Sequence, residues 1–282
     1  MNQILADLSE AALINAIETN LFELIKFKSL WPRAEVHDDP DILWCLTDVP
    51  FPSCNTVMRA QFPPEQVETI IQGIINRGKL RNVPILWCTT QSTRPSTLGK
   101  DLIAHGFVFT GEDPGMAVDL WKVDEHLQTP VGFTVGQIHD TEALKTWCQI
   151  ICSGCELPDF VTDAFFDLYN SVGPSTNSCI KFFLGLLKGE PVAASMLFLG
   201  AGVAGIYNVV TAPETRGQGI GTAMTLAPIQ EARGIGYRVG VLTSSEMGFG
   251  IYRRLGFQEI CKSGNYEWSG KMTEEKGSAT KR

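Results

Sequence analysis

Apolar residues near the start of the chain recur at helical spacing. Leu5, Leu8, Ala12, Ile14, Ile17, Leu21 and Leu24 recur at that spacing, and an amphipathic helix is expected there. Farther along, the pattern shortens and alternates. Residues 132–135 read as a strand, and 140–152 and 159–171 as helices. Residues 180–187 and 192–198 read as hairpin arms joined at Lys188-Gly-Glu-Pro191. A strand at 205–210 leads to an amphipathic helix at 222–233, and 238–243 is a short apolar run of the buried-strand kind. Ser244 or Ser245 can cap a last helix, which Gly256 ends in the C′ position. Residues 123–130, with His126 and Pro130, are the linker candidate, and 271–282 are polar, aperiodic and read as a disordered tail.

The candidate chemistry sits between the strand at 205–210 and the helix after it, in Arg216-Gly217-Gln218-Gly219-Ile220-Gly221. A strand, a glycine-rich turn and a helix start together form an anion-binding device. The first helical N–H groups have no partner within the helix, and its dipole adds positive potential there. Glycines let the backbone approach the anion and adopt positive φ without a Cβ penalty. A pyrophosphate is the ligand this predicts. The nucleotide P-loop pattern is unmet, because no lysine follows the glycines. The dinucleotide pattern is unmet too, because Gly217, Gly219 and Gly221 are spaced by two and Met224 stands in the next register position.

What remains, Arg216-x-x-Gly219-x-Gly221, resembles the coenzyme A loop of the GNAT (GCN5-related) N-acetyltransferase superfamily. Tyr252-Arg-Arg-Leu-Gly-Phe257 resembles the last helix of the same superfamily, and the two motifs occur in the right order. The resemblance implies acetyl-CoA as co-substrate in a V-shaped opening between two strands. Val209, Val210 and Thr211 would meet the pantetheine arm and Gly217, Gln218, Gly219, Ile220, Gly221 and Thr222 the pyrophosphate, with Arg216 and Ser245 as further contacts. It also implies direct attack by an amine, with Tyr252 protonating the departing thiolate; packing against the coenzyme or Phe257 is the alternative role for that ring. The strand before the loop offers only Tyr207 and Asn208 as polar side chains, which leaves the general base open between Glu156 and water.

The first half carries a fainter echo. His105-Gly-Phe107 ends a helix beginning at Leu98 as Leu255-Gly-Phe257 ends its own, and Gly106 and Gly256 lie 150 positions apart. At that offset Pro63 meets Pro213, but Val67, Thr69 and Ile71 stand where the loop has glycines, and Leu102 stands for Tyr252. With the resemblance, this implies a tandem α/β protein of α+β type. Two GNAT-like domains are expected, each a mixed, mostly antiparallel twisted sheet flanked by helices: a degenerate one at 1–122 and the acetyl-CoA-binding one at 131–270.

Composition removes other classes. The 282 residues carry a formal charge of −8, with 44% hydrophobic and 19% charged residues. This describes a globular chain without the basic surface that nucleic acid demands. No run of eighteen apolar residues and no leader pattern is present, so no membrane association and a cytoplasmic address are expected. Eight scattered cysteines read as free thiols; Cys152-Ser-Gly-Cys155 lacks a partner pair, and four dispersed histidines support no metal site. The expected function is acetyl transfer to a small-molecule or peptide amine. A catalytically silent acyl-CoA-binding sensor or scaffold is the alternative, and a homodimer is left open.

Overall fold

The computed structural model describes residues 3–124, 130–173 and 178–270. The linker expected at 123–130 lies mostly, and the tail at 271–282 entirely, outside the described residues. In chain order the elements are α1 (Glu10–Phe27), β1 (Glu35–Asp39), β2 (Ile42–Leu46), β3 (Thr56–Met58), α2 (Val67–Arg81), β4 (Ile85–Thr89), α3 (Leu98–Ala104) and β5 (Val108–Asp119). There follow β6 (Phe133–Gln137), α4 (Thr141–Gly154), α5 (Asp159–Val172), β7 (Ile180–Leu187), β8 (Glu190–Gly200) and β9 (Val203–Thr211). Last come α6 (Ile220–Gly234), β10 (Val239–Thr243), α7 (Glu246–Arg254) and β11 (Gln258–Trp268).

The first helix begins at Glu10, later than the apolar spacing suggests. Asp7 takes the backbone N–H and hydroxyl of Ser9, and the Leu5 N–H donates to the Gly202 carbonyl at 2.9 Å, so residues before Glu10 are held in non-helical bonds.

Packing divides the chain into a larger unit, 1–36 with 112–263, and a smaller one, 37–111 with 264–282. This differs from the expected division at 123–130, for two physical reasons. Helix α1 buries Leu13, Ala16 and Ile17 in one cluster with Val203, Val239 and Val241 of the larger unit. The two long strands are also traded. The second half of β5 pairs with β10, from Gly115↔Thr243 to Asp119↔Val239. The second half of β11 pairs with β4, from Gly264↔Thr89 to Trp268↔Ile85. Each sheet is therefore completed by the strand that follows the other unit's last helix.

In the larger unit the strands run in the order β5, β10, β9, β8, β7, β6, all antiparallel except the β9–β10 pair. Lys188-Gly189 (φ 54° and 89°) and Ala201-Gly202 (φ 52° and 73°) close two hairpins. Positive φ at both central residues matches the twist of the flanking strands. Strand β8 shows the two-residue period directly. Ala193 and Leu197 pack with Ile220, Ala223 and Met224 of α6. Ala194, Met196 and Phe198 face Leu144, Trp147 and Ile151 of α4. The sheet is thus covered on both faces.

The smaller unit orders β1, β2, β3, β4 and the end of β11, with β3 and β4 parallel. Its core joins Trp44, Val57, Ile71, Ile74, Trp87, Leu98, Leu102, Phe107 and Trp268. The fold class is therefore the expected mixed α/β type with mostly antiparallel sheets. Among the described residues no helix is long and apolar enough to cross a membrane.

Candidate active site

The site is built on the one parallel strand pair of the larger unit. Strands β9 and β10 are in register at Ala204↔Gly240 and Gly205↔Val241, while β9 continues to Thr211 and β10 to Thr243. Within that continuation β9 bulges. Met196 pairs Tyr207 and Ala194 pairs Val210, so Asn208 and Val209 together oppose Ser195. Asn208 takes φ 51° to make room. A bulge of this kind bends its strand and breaks pairing locally.

After Thr211 the chain makes a single turn at Pro213–Thr215, and Arg216 is extended. Gly217 and Gly219 take φ 76° and 84°, the region where a side chain is strained. Gly219 is the N-cap of α6, with no side-chain hydrogen bond at the cap and no acidic residue in the first turn. The helix start is thus neither capped by a side chain nor neutralised by an acid in its first turn; the Thr222 N–H already donates to the Gly219 carbonyl at 3.1 Å, and the N–H groups ahead of it are the ones suited to an anion. Gly221 sits where a Cβ would come within 3.1 Å of Ile251 Cδ1, so the loop packs closely on α7.

These elements enclose a cavity of about 710 Å³. Val209, Val210 and Thr211 form one wall, Gly217, Gly219, Ile220, Gly221 and Thr222 a second, and Ser245 and Tyr252 a third. Every expected coenzyme contact except Gln218 lines it. Gln218 is exposed between two glycines that line the cavity.

Arg216 lines the cavity and also braces the loop. Its guanidinium donates to the Thr211 carbonyl at 3.2 Å and to the Gly154 carbonyl at 2.7 Å, fastening the end of α4 to the end of β9. That fastening requires Gly154, because a Cβ there would collide with Val210 Cγ1. The sequence reading missed Gly154, which stood out only as the spacer in Cys152-Ser-Gly-Cys155. Gly248 was missed similarly. A Cβ on it would lie 2.7 Å from Tyr252 Cε2, so glycine there makes space for the ring.

Tyr252 is 9% exposed and makes an edge contact with Phe257, centroids 5.9 Å apart. Burial disfavours the phenolate and pushes the hydroxyl up to about 12, so the group stays protonated at neutral pH. The ring therefore both packs on Phe257 and presents a proton-bearing wall to the cavity. Ser245 caps α7, accepting from the Gly248 N–H at 3.2 Å. Glu156 also lies on the wall. Among the described residues no group of three or more His, Cys, Asp or Glu is placed to hold a metal. All eight cysteines are free, with Cys155 and Cys179 exposed.

A family model described as acetyltransferase (GNAT) domain matches residues 200–260, the stretch holding β9, the glycine loop, α6, β10 and α7. Over residues 200–260 the chain is similar to a GNAT domain. Its fold agrees over nearly the whole length. A GCN5-related N-acetyltransferase from Kribbella flavida is 18% identical, with a TM-score of 0.68 over 88% of this chain and 95% of that one. One from Sphaerobacter thermophilus is 14% identical, with a TM-score of 0.63 over 96% and 95%. A tandem GNAT protein from the clavulanic acid biosynthesis pathway is 12% identical, with a TM-score of 0.58 over 95% and 97%. No curated protein matches this chain.

Proposed function

We propose that the chain is an acetyl-CoA-dependent N-acetyltransferase whose active site is the cavity between β9 and β10. The observation that carries this reading is the loop with two left-handed glycines opening the uncapped, acid-free start of α6 on the cavity wall. A cradle that a Cβ would crowd at Gly221 suits a pyrophosphate held by backbone N–H groups. Bound acetyl-CoA would supply the acetyl group as a thioester. Residues Val209 to Thr211, released from pairing with β10, would hold the pantetheine arm and polarise the thioester carbonyl through backbone groups. Tyr252, protonated at working pH, would give its proton to the departing sulfur. Arg216 shapes the loop through its two carbonyl bonds while lining the cavity that the phosphates would enter. The silent acyl-CoA sensor remains the second reading, favoured by the lack of any carboxylate side chain on β9.

The test is the thermal midpoint with and without saturating acetyl-CoA, in the parent and in a Gly219→Glu, Gly221→Glu double variant. At about 100 times its dissociation constant a ligand adds roughly 2.7 kcal/mol to the folded state, a shift of several degrees. A shift in the parent that the variant loses supports the reading, and turnover of an amine then separates enzyme from sensor. A well-folded parent with no shift overturns it.

A further inference from the structure

Asn20 is one of the buried residues of α1 and has no exposure to solvent. A buried amide is costly unless it is hydrogen-bonded, and here both of its ends are. Nδ2 donates to the Gly200 carbonyl at 2.9 Å, and Oδ1 accepts from the Tyr207 hydroxyl at 2.7 Å. Three residues on, Glu23 accepts from the Ala201 N–H at 2.7 Å, so α1 grips the turn between β8 and β9. Two glycines make room for this grip. A Cβ at Gly205 would strike Asn20 Oδ1 and the Tyr207 ring, and one at Gly200 would strike Glu23 Oε2.

Tyr207 is the last β9 residue before the bulge in which Asn208 and Val209 together oppose Ser195. Without the bulge, pairing would run on from Met196↔Tyr207 and set Val209 against Ala194, a place that Val210 holds. The strand would slide by one residue, and each side chain from Val210 onward would change faces. Relief of the left-handed φ of 51° at Asn208 favours that slide, because such strain persists only where the surroundings hold it. Three contacts oppose the slide. Asn20 holds Tyr207 ahead of the bulge, and the Tyr169 hydroxyl of α5 accepts from Asn208 Nδ2 at 3.4 Å. Beyond the bulge, Gly154 abuts Val210 while its carbonyl is bonded by Arg216. Of the three, only the Asn20 contact comes from outside the α4–α5 pair and the glycine loop.

We propose that Asn20 is a positioning residue: through Tyr207 it holds β9 in the bulged register that keeps Val209, Val210 and Thr211 on the cavity wall. A helix from the start of the chain thereby sets the shape of a site built by its second half. The inference rests on the acetyl-transfer reading of this cavity. It is tested on the full chain by calorimetric binding of acetyl-CoA to the parent, Asn20→Leu, Tyr207→Phe and Ile17→Val. Tyr207→Phe removes only the hydroxyl and keeps the ring, which guards against a fold lost in Asn20→Leu. Ile17→Val loosens α1 within its apolar cluster and leaves the bonded pair intact. Measured below every thermal midpoint, the first two variants should bind about tenfold more weakly, as a site competent only about a tenth of the time does. Ile17→Val should lower the midpoint and bind as the parent does. Asn20→Leu combined with Tyr207→Phe should weaken binding no further than either alone, because both remove one contact. Parent-like affinity in Tyr207→Phe, or an equal loss in Ile17→Val, overturns this inference alone and leaves Asn20 a purely structural role. A parent that does not bind acetyl-CoA overturns it together with the acetyl-transfer reading.

Discussion

The two units repeat one sequence of elements and differ where a ligand would enter. β3, α2, β4, α3 and β5 of the first half follow the same order as β9, α6, β10, α7 and β11 of the second. Gly106 and Gly256 both take left-handed φ, 86° and 94°, just past α3 and α7. In the larger unit β9 and β10 lose their pairing beyond Gly205 and Val241, and a cavity opens. In the smaller unit the chain is stitched shut at the corresponding place. Arg94 N–H donates to the Ala60 carbonyl at 2.8 Å, Phe62 N–H donates to the Arg94 carbonyl at 3.3 Å, and Gln61 and Arg94 form a parallel bridge. Val67 and Ile71, opposite Gly217 and Gly221, are buried in the core, and Leu102 fills the place of Tyr252 with no exposure. The first turn of α2 carries Glu68, which bonds His105 Nε2 at 2.8 Å, while the first turn of α6 carries no acid. The contrast separates fold from site. The same succession of strands and helices forms with or without the opening, and the proposed anion site draws on the gap, the glycines and an acid-free helix start together.

The largest way to break this comparison is to treat the halves as separable. A fragment of residues 131–270 lacks α1 and the β5 segment that pairs β10, so it should show no cooperative thermal transition, whereas the full chain should. Independent folding of that fragment would mean that the traded strands contribute little. Next in size is Tyr252→Phe, which should lower kcat for acetyl transfer about 100-fold, within the range for a lost general acid, and leave the acetyl-CoA thermal shift intact. Because burial raises this hydroxyl to about 12, the acid form persists above the ordinary tyrosine pKa of about 10. The parent's kcat should therefore show no alkaline decline from this group until pH passes that higher value. A decline centred near pH 10 would assign the proton to another group. The smallest expected effect sharpens the contrast. Thr69→Glu, at the position opposite Gly219 on the exposed start of α2, should leave the coenzyme shift unchanged, because the smaller unit has no opening for the carboxylate to block.

What the sequence disclosed follows the range of the interactions. The glycine loop and the Tyr252 helix were legible because backbone conformation at Gly217 and Gly219 and capping at Ser245 are local demands that restrict residue type. The β7–β8 hairpin was legible for the same reason, through Lys188-Gly189, whereas the turn at Ala201-Gly202 was not read. The traded strands were not. β5 and β11 have the alternation of any half-buried strand, and nothing local records which partner each takes. The two carbonyl bonds of Arg216 were not legible, because one goes to Gly154, distant in sequence, and the other to Thr211, set back in the loop. The left-handed Asn208 in the bulge and Glu156 at the helix end were invisible too, since neither is glycine and both conformations are imposed by their surroundings.

The exchange of strands also bears on the order of events during synthesis. Chains emerge from the N-terminus, and a unit usually folds once its residues are out. Here β4 waits for residues 264–268, which are translated after the entire larger unit. The smaller unit therefore leaves the ribosome with one strand edge open, and an open edge is a place where chains pair wrongly. The larger unit has the opposite history, because α1 and its β5 segment are made before the rest of it. The half with the site finds its early parts ready, and the half without one is sealed last.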